Sequence, residues 1–230
     1  SGRSEIFSIL QSSKVGDLRV LAQKAFQLGF LRLVAADHSV ADPTKSLQDV
    51  GIEDGDHLTA IAVEAKVAAT ARAFALFCPG GDRVVTWGDP EYGADNPEVQ
   101  DQLKGVWQIQ ATFGGAFAAI LADGSVVTWG DPRFGGDSSK VQDQLKGVRQ
   151  IETSDASFAA ILADGSVVTW GDPDYGGDSS EVQDRLKSVQ QIQASDSAFA
   201  AILADGSVVT WGNPASGGDS SAFLAHFAYV

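Results

Sequence analysis

The sequence predicts an α+β domain followed by an all-β array of tandem repeats. The segment Ala-Ile-Leu-Ala-Asp-Gly-Ser-Val-Val-Thr-Trp-Gly occurs three times, ending at Gly130, Gly171 and Gly212, and a divergent copy ends at Gly88. Residues 1–66 lack this segment and instead mix strand-like and helix-like patterns. Units repeated at a fixed period stack on one another, because a single unit cannot bury its own apolar face. Such an array favours a binding surface over a catalytic pocket.

The first 66 residues predict strand, helix, strand, short helical turn and strand. Helical spacing places one set of apolar residues on one face of residues 15–26, namely Val15, Leu18, Leu21, Ala22 and Phe26. Strands are predicted over 5–10, 30–35 and 57–63, where β-branched and aromatic residues are frequent. A short helical turn is predicted over 46–52.

This order, together with Ser46-Leu47-x-Asp49-x-Gly51-Ile52 and the following Asp54-Gly55-Asp56-x-Leu58, resembles the ubiquitin-like β-grasp fold. The first strand of that fold is missing, and no Gly-Gly tail follows Val63, which argues against conjugation to other proteins. The resemblance implies a partner-binding patch on the outer sheet face that includes Val34 and Ile61. The alternative is that both are ordinary half-buried strand residues.

Each repeat predicts three strands and a short helix. In one unit the strands cover 148–153, 157–163 and 166–170, and the Asp164-Gly165 dipeptide between the last two indicates a tight hairpin. A capping box at Ser180 and Gln183 predicts the start of the helix. The motif tryptophans are predicted to lie in the core between repeats. Residues 67–76 are interpreted as a linker, which gives domains at 1–66 and 72–221.

The motif Asp-Gly-x-Val-x-x-Trp-Gly, after a strand of small residues and before a Gly-Gly loop, resembles the repeat of the regulator of chromosome condensation family. The resemblance implies a β-propeller used for guanine-nucleotide exchange, chromatin docking or substrate recruitment in ubiquitin ligases. The period is shorter than that of the family, and each unit has three clear strands where a propeller blade has four. We therefore expect an incomplete or open propeller-type array.

Partner-binding positions are predicted where otherwise similar repeats differ. Trp107, Arg149 and Gln190 occupy equivalent places, as do Arg133 and Asp174. A large exposed apolar residue such as Trp107 is typical of a contact site. The apolar C-terminal segment 222–230 departs from the repeat, and we interpret it as a cap or a docking tail that contains Phe223 and Phe227.

Composition argues against several functions. The net charge of −14 disfavours nucleic-acid binding. Calcium binding to the acidic loop 172–178 is disfavoured because Gln183 occupies the last ligand position and Arg133 replaces Asp174 in the preceding repeat. The 3 scattered histidines and the single cysteine Cys78 do not predict zinc, and neither a nucleotide-binding motif nor a transmembrane segment is evident. We expect no cofactor and no enzyme activity.

The sequence therefore predicts a non-catalytic adaptor or scaffold with protein partners, among which ubiquitin-pathway proteins are one class. Two alternatives remain open: a structural accessory subunit of a large complex, and a component of a ubiquitin ligase or guanine-nucleotide exchange system. A cytoplasmic or nuclear location is favoured, with an organelle after removal of a targeting segment as the alternative.

Overall fold

The computed structural model describes residues 3–37, 39, 41–79, 81 and 83–221. The chain divides into two compact units, Ser1–Ala65 and Lys66–Val230. No helix in the described part of the chain is both long enough and apolar enough to cross a membrane.

The first unit contains one helix and a two-stranded antiparallel sheet. The helix α1 is Val15–Phe26, and the strands are β1 (Phe30–Val34) and β2 (Thr59–Val63). Leu31 and Leu33 of β1 are each 4% exposed and share one core with Val15, Leu18 and Ala22 of α1. The predicted helix is confirmed. A larger β-grasp sheet is not evident in the described residues.

Two local predictions in this unit are wrong. Residues 5–10 alternate as a strand should, with Phe7 and Ile9 packed against the core and Ile6 97% exposed. No neighbouring strand pairs with them among the described residues, and a strand without a ladder partner is not a sheet strand. Leu21 is 38% exposed, because it lies at the flank of the α1 face centred on Leu18 and Ala22.

The second unit confirms the prediction of an all-β repeat array. Its described residues form four three-stranded antiparallel sheets, each built from consecutive strands. Sheet 1 contains β3 (Lys66–Ala69), β4 (Ala73–Phe77) and β5 (Val84–Gly88). Sheet 2 contains β6 (Val106–Ala111), β7 (Ala116–Leu121) and β8 (Val126–Gly130). Sheet 3 contains β9 (Val148–Thr153), β10 (Ser157–Leu162) and β11 (Val167–Gly171). Sheet 4 contains β12 (Val189–Ala194), β13 (Ala198–Leu203) and β14 (Val208–Gly212).

Consecutive sheets pack face to face. The two faces of a sheet differ because side chains alternate along each strand. The aromatic face of sheet 3 consists of Ile151, Phe158, Ala160, Val168 and Trp170. It packs on the small-residue face of sheet 2, which consists of Ala116, Ala118, Ile120 and Val126. Sheets 1 and 2, and sheets 3 and 4, meet in the same way.

Each junction between sheets repeats one aromatic arrangement. Phe158 stacks on Trp170 with ring centroids 5.0 Å apart, and the two residues are partners in the β10–β11 register. The Trp170 indole N–H donates to the carbonyl of Gly135 in the preceding repeat at 3.0 Å. Gly135 has φ +96, and a Cβ atom there would lie 2.6 Å from the Phe158 ring. Close backbone approach therefore requires glycine at this position.

The structure corrects two predictions in the array. Residues 67–76 are not a linker, because β3 and most of β4 lie there. The capping box is also wrong, since Gln183 donates from Nε2 to the Val167 carbonyl at 2.9 Å and its Oε1 accepts from Ser179. The segment that follows is only a three-residue 3-10 helix, Gln183–Arg185.

Candidate protein-binding surfaces

The array has two edges, which are defined by the direction of its strands. The first strand of each sheet starts at the turn edge, where the Asp-Gly hairpins also lie. The same strand ends at the loop edge, where a 3-10 helix follows the third strand, as in Pro132–Phe134 and Pro173–Tyr175. A six-residue strand such as β6 separates the edges by about 20 Å.

The turn edge carries three of the predicted positions. Trp107, Arg149 and Gln190 are the second residues of β6, β9 and β12, and all three are exposed, Trp107 by 62%. Arg149 donates from Nε to the Leu162 carbonyl at 3.0 Å, which fixes its guanidinium over the edge of the sheet. Three different side-chain chemistries therefore follow one another on a shared backbone geometry.

The hairpin turns add a row of carboxylates to the turn edge. Asp164 accepts from the hydroxyl of Ser166 at 2.6 Å and from its backbone N–H at 2.9 Å, and these bonds lower the pKa of Asp164. The same contacts with Ser125 and Ser207 lower the pKa values of Asp123 and Asp205. The bonds stabilise the ionised form, so these three carboxylates are negatively charged at neutral pH.

The loop edge carries the other two predicted positions in the array. Arg133 and Asp174 are the middle residues of equivalent 3-10 helices. Arg133 donates from Nη2 to Asp131 Oδ2 at 2.6 Å and lies over the Phe134 ring, and its side chain is 79% exposed. The hydrogen bond from Arg133 lowers the pKa of Asp131. Asp174 is exposed, and its backbone N–H donates to Asp172 Oδ1 at 2.9 Å.

Phe113 is an exposed residue of the loop edge that the sequence interpretation missed. It is 65% exposed, and its carbonyl accepts from Ala71 N at 3.1 Å. The hairpin loop between Ala111 and Phe117 is one residue longer than the loop between Thr153 and Phe158. The available signal was the 42-residue step between Trp87 and Trp129, against 41 residues elsewhere.

The structure places Val34 and Ile61 on one face of the small sheet. Val34 pairs with Thr59 and Ile61 pairs with Arg32, so the two are diagonal neighbours. Ile61 is 49% exposed and Val34 is half-buried, and Phe30, on the same face, is 46% exposed. Phe30 was not predicted as part of the patch.

The remaining sequence predictions concern the C-terminal tail and metal binding. Phe223 and Phe227, with the rest of segment 222–230, lie outside the described residues. Among the described residues no group of three or more His, Cys, Asp or Glu side chains is arranged to hold a metal ion. In the loop considered for calcium, Asp172 Oδ1 accepts a backbone N–H.

Comparison with known proteins gives similarity in structure only. No protein-family model matches the chain, and no curated protein sequence matches it. Human WBSCR16 is 16% identical, with a TM-score of 0.46 over 74% of this chain and 52% of that protein. Yeast RCC1 (Prp20), solved bound to Kap60, is 15% identical, with a TM-score of 0.47 over 92% of this chain and 58% of that protein.

The computationally designed protein Ika4 is also similar. It is 14% identical, with a TM-score of 0.39 over 66% of this chain and 92% of that protein. The chain thus spans about half the length of human WBSCR16. Because all three similarities are weak, the fold is assigned from the strand order and register of this chain.

Proposed function

We propose that the chain is a non-catalytic protein-interaction scaffold whose partners bind the edges of the repeat array. The observation that carries this proposal is the contrast between framework and edge. The Phe–Trp stack and the bond from Trp to Gly recur at each junction between sheets. At the same time Trp107, Arg149 and Gln190 differ at one exposed position. A fixed framework that displays variable side chains is typical of a recognition surface.

The chemistry of the edges favours a partner with charged and aromatic groups, because the turn edge carries the lysines at 104, 146 and 187 as well as carboxylates. The turn edge combines the ionised Asp123, Asp164 and Asp205 with the exposed indole of Trp107. Tryptophan and arginine are the residues most often responsible for binding energy at interfaces. Trp107 and Arg149 are therefore proposed as the main contacts, with Arg133 and Asp174 selecting partners at the loop edge.

The test is affinity capture from native extract, followed by measurement of the affinity of each captured partner. Trp107→Gln and Arg149→Gln convert both positions to the residue present at Gln190, and should weaken binding at least about tenfold, as expected for loss of a hot spot. Lys146→Gln is the matched control, because this exposed turn-edge residue is a lysine in each of the three later repeats, at positions 104, 146 and 187. Unchanged affinity in both edge variants would refute the proposal.

A structural accessory subunit is the second function that a specific observation favours. Sheet 1 leaves large apolar side chains exposed on its aromatic face, including Trp87 at 46% and Phe74 at 43%. Exposed apolar surface of this kind suits permanent burial in a complex. Capture of one complex at a fixed one-to-one ratio would support this second function, whereas several substoichiometric partners would support the adaptor.

We further propose that the first unit is a β-grasp-type module that binds through the face carrying Val34 and Ile61. The antiparallel pairing of β1 with β2 and the packing of α1 on their inner face support this assignment. Ile61→Arg should abolish capture of ubiquitin-pathway proteins. Val20→Arg is the control, since Val20 is 44% exposed on α1, and equal loss in the two variants would contradict a specific patch.

A further inference from the structure

The two ends of the repeat array expose opposite halves of the same junction. At the first end, Trp87 and Phe74 on the aromatic face of sheet 1 are 46% and 43% exposed. Their equivalents inside the array, Trp170 and Phe158, are 5% and 0% exposed. Val85 and Val67 on the same face of sheet 1 are 47% and 56% exposed. Sheet 1 therefore presents an aromatic face that no other described sheet of the repeat array covers.

At the second end, no further sheet among the described residues packs on the small-residue face of sheet 4, although Ala198 of that face is 3% exposed. Ile202 is 40% exposed, whereas its equivalents Ile120 and Ile161 are 3% and 1% exposed. A Cβ atom on Gly176 would lie 2.7 Å from the ring of Phe199 in the next sheet. A Cβ atom on Gly217 would meet nothing within 4 Å among the described residues. Gly217 thus marks the place where a further aromatic face would pack.

The ends also carry a matching hydrogen-bond donor and acceptor. At the internal junctions Trp129, Trp170 and Trp211 donate to the carbonyls of Gly93, Gly135 and Gly176 at 3.0–3.1 Å. Trp87 is the equivalent donor that precedes these three tryptophans, and the Gly217 carbonyl is the equivalent acceptor that follows these three glycines. Neither atom has a partner among the described residues, and Gly217 has φ +99, close to the +96 of Gly135.

The small-residue face of sheet 4 has an equivalent that forms an interface elsewhere in the chain. The hairpin 198–212, which carries the face of sheet 4, is identical in sequence to the hairpin 116–130. That internal hairpin buries its small-residue face under Phe158 and Trp170 of sheet 3. The aromatic face of sheet 1 keeps the phenylalanine, the valine and the tryptophan, with Leu76 in place of an alanine and Val67 in place of an isoleucine.

We infer that a second copy of this chain binds head to tail, with the aromatic face of sheet 1 on the small-residue face of sheet 4. Contact between two different faces is heterologous and either closes into a ring or continues as a filament. Two copies bring together eight sheets, within the range of four to eight found in closed propellers. The simplest closed product is a dimer with two identical junctions, each containing a bond from Trp87 Nε1 to Gly217 O. This inference does not depend on the proposed scaffold function, which uses the edges of the array, but it competes with the accessory-subunit function for the exposed face of sheet 1.

The mass of the full chain in solution tests the inference, by light scattering or analytical ultracentrifugation over a range of concentrations. The chain of 24.0 kDa should form a dimer of twice that mass. Trp87→Arg disrupts the aromatic face of sheet 1, and Ile202→Arg disrupts the small-residue face of sheet 4. Each variant alone should therefore be monomeric. Trp107→Arg, which changes an exposed aromatic residue off both end faces, should remain dimeric. Circular dichroism should show the same β content in all three.

Mixing the two monomeric variants is the decisive measurement. Ile202→Arg retains an intact sheet 1, and Trp87→Arg retains an intact sheet 4, so the mixture should form a one-to-one heterodimer with a single junction. A monomeric unsubstituted chain would overturn the inference, because the ends would then be covered by the chain itself or remain bare. A dimeric Ile202→Arg variant would also overturn it, since the interface would then join two copies of the same face.

Salt provides an independent readout. Each copy carries a net charge of −14, so two copies repel each other, and added salt screens this repulsion while the apolar contact persists. Association should therefore strengthen as salt increases. A dimer that dissociates with salt would be held by charged groups and not by the end faces.

Discussion

Sheet 2 and sheet 1 carry the same Phe–Trp pair in different surroundings. In sheet 2, Phe117 and Trp129 stack with centroids 5.0 Å apart and are 0% and 5% exposed. In sheet 1, Phe74 and Trp87 stack at 5.3 Å, but both are more than 40% exposed. The stack is thus a local consequence of cross-strand pairing, whereas its burial depends on the neighbouring sheet. Most of its stabilisation is therefore expected only where a preceding sheet covers the pair.

The largest effect should come from removing the phenylalanine of a buried pair. Phe158→Ala should lower the free energy of unfolding by about 3–5 kcal/mol, because it leaves a cavity between sheets 2 and 3. Phe74→Ala should cost about 1–2 kcal/mol, because its ring is already partly hydrated. Urea denaturation followed by tryptophan fluorescence measures both, at protein concentrations where the chain is monomeric.

An equal cost for the two variants would contradict the comparison, because it would mean that the face of sheet 1 is covered within one chain. The comparison also depends on concentration. If copies associate head to tail, the cost of Phe74→Ala should rise where the dimer is populated, while that of Phe158→Ala should not.

A pair of glycines separates backbone strain from packing. Gly176 and Gly217 have φ +89 and +99, so alanine at either position is strained by about 1–3 kcal/mol. Only at Gly176 does the new Cβ meet a ring, 2.7 Å from Phe199. Gly176→Ala should therefore lose about 1–3 kcal/mol more than Gly217→Ala, the usual cost of overpacking. Thermal unfolding measures the difference, and equal losses would show that packing at Gly176 adapts freely.

The sequence predicted the elements that depend on local patterns. Helix α1 follows from apolar spacing, and the hairpin around Asp164-Gly165 follows from turn chemistry. The strands β3 and β4 were missed because residues 66–77 show no clear alternation of apolar and polar residues, and β3 has only the equally unrecognised β4 as its ladder partner among the described residues. Burial of the motif tryptophans was predicted for all four repeats, and Trp87 is the exception.

The candidate surfaces were only partly predictable for the same reason. Trp107 was found because it differs from Arg149 and Gln190 at one repeat position. Phe113 was missed although it is also a position where repeats differ, because its carbonyl accepts a backbone N–H of the preceding repeat as the carbonyls of Asp155 and Asp196 do. The bond from Trp170 to Gly135 joins two repeats, and no local pattern encodes it.

A smaller gain in stability should come from making the first repeat like the later ones. The Nδ2 atom of Asn96 is buried without a hydrogen-bond partner among the described residues. The equivalent Ser138 exchanges hydrogen bonds with Thr128 at 2.9 Å and Gln142 at 2.7 Å. Asn96→Ser should stabilise the chain by about 1 kcal/mol, since it removes an unsatisfied polar group.

Differential scanning calorimetry should show this gain as a rise in Tm of about 2–4 °C. The reciprocal change, Ser138→Asn, should lower Tm. If Asn96→Ser lowers Tm instead, the asparagine contributes a contact that the internal repeats lack.

The smallest effect concerns a carboxylate at an internal junction. Burial, together with the nearby charge of Asp196, raises the pKa of Asp155. Because the folded-state pKa exceeds that of the unfolded chain, the ionised carboxylate destabilises the fold at neutral pH, and this penalty disappears as pH falls through the folded-state pKa. Asp155→Asn should therefore raise Tm slightly at pH 7 and leave it unchanged well below the ordinary aspartate pKa of about 3.9.

The control for this prediction is Asp164→Asn. Hydrogen bonds from Ser166 lower the pKa of Asp164, so its ionised form stabilises the fold above the unfolded-state pKa, and that contribution is lost as pH falls through the folded-state pKa. Asn at this position should lower Tm at pH 7. Opposite changes in Tm at pH 7 for these two variants of one repeat would show two effects of environment on charge. The junction between sheets destabilises the ionised carboxylate, whereas the exposed hairpin turn stabilises it. A decrease in Tm for both variants would mean that burial at the junction is too slight to destabilise the ionised form of Asp155.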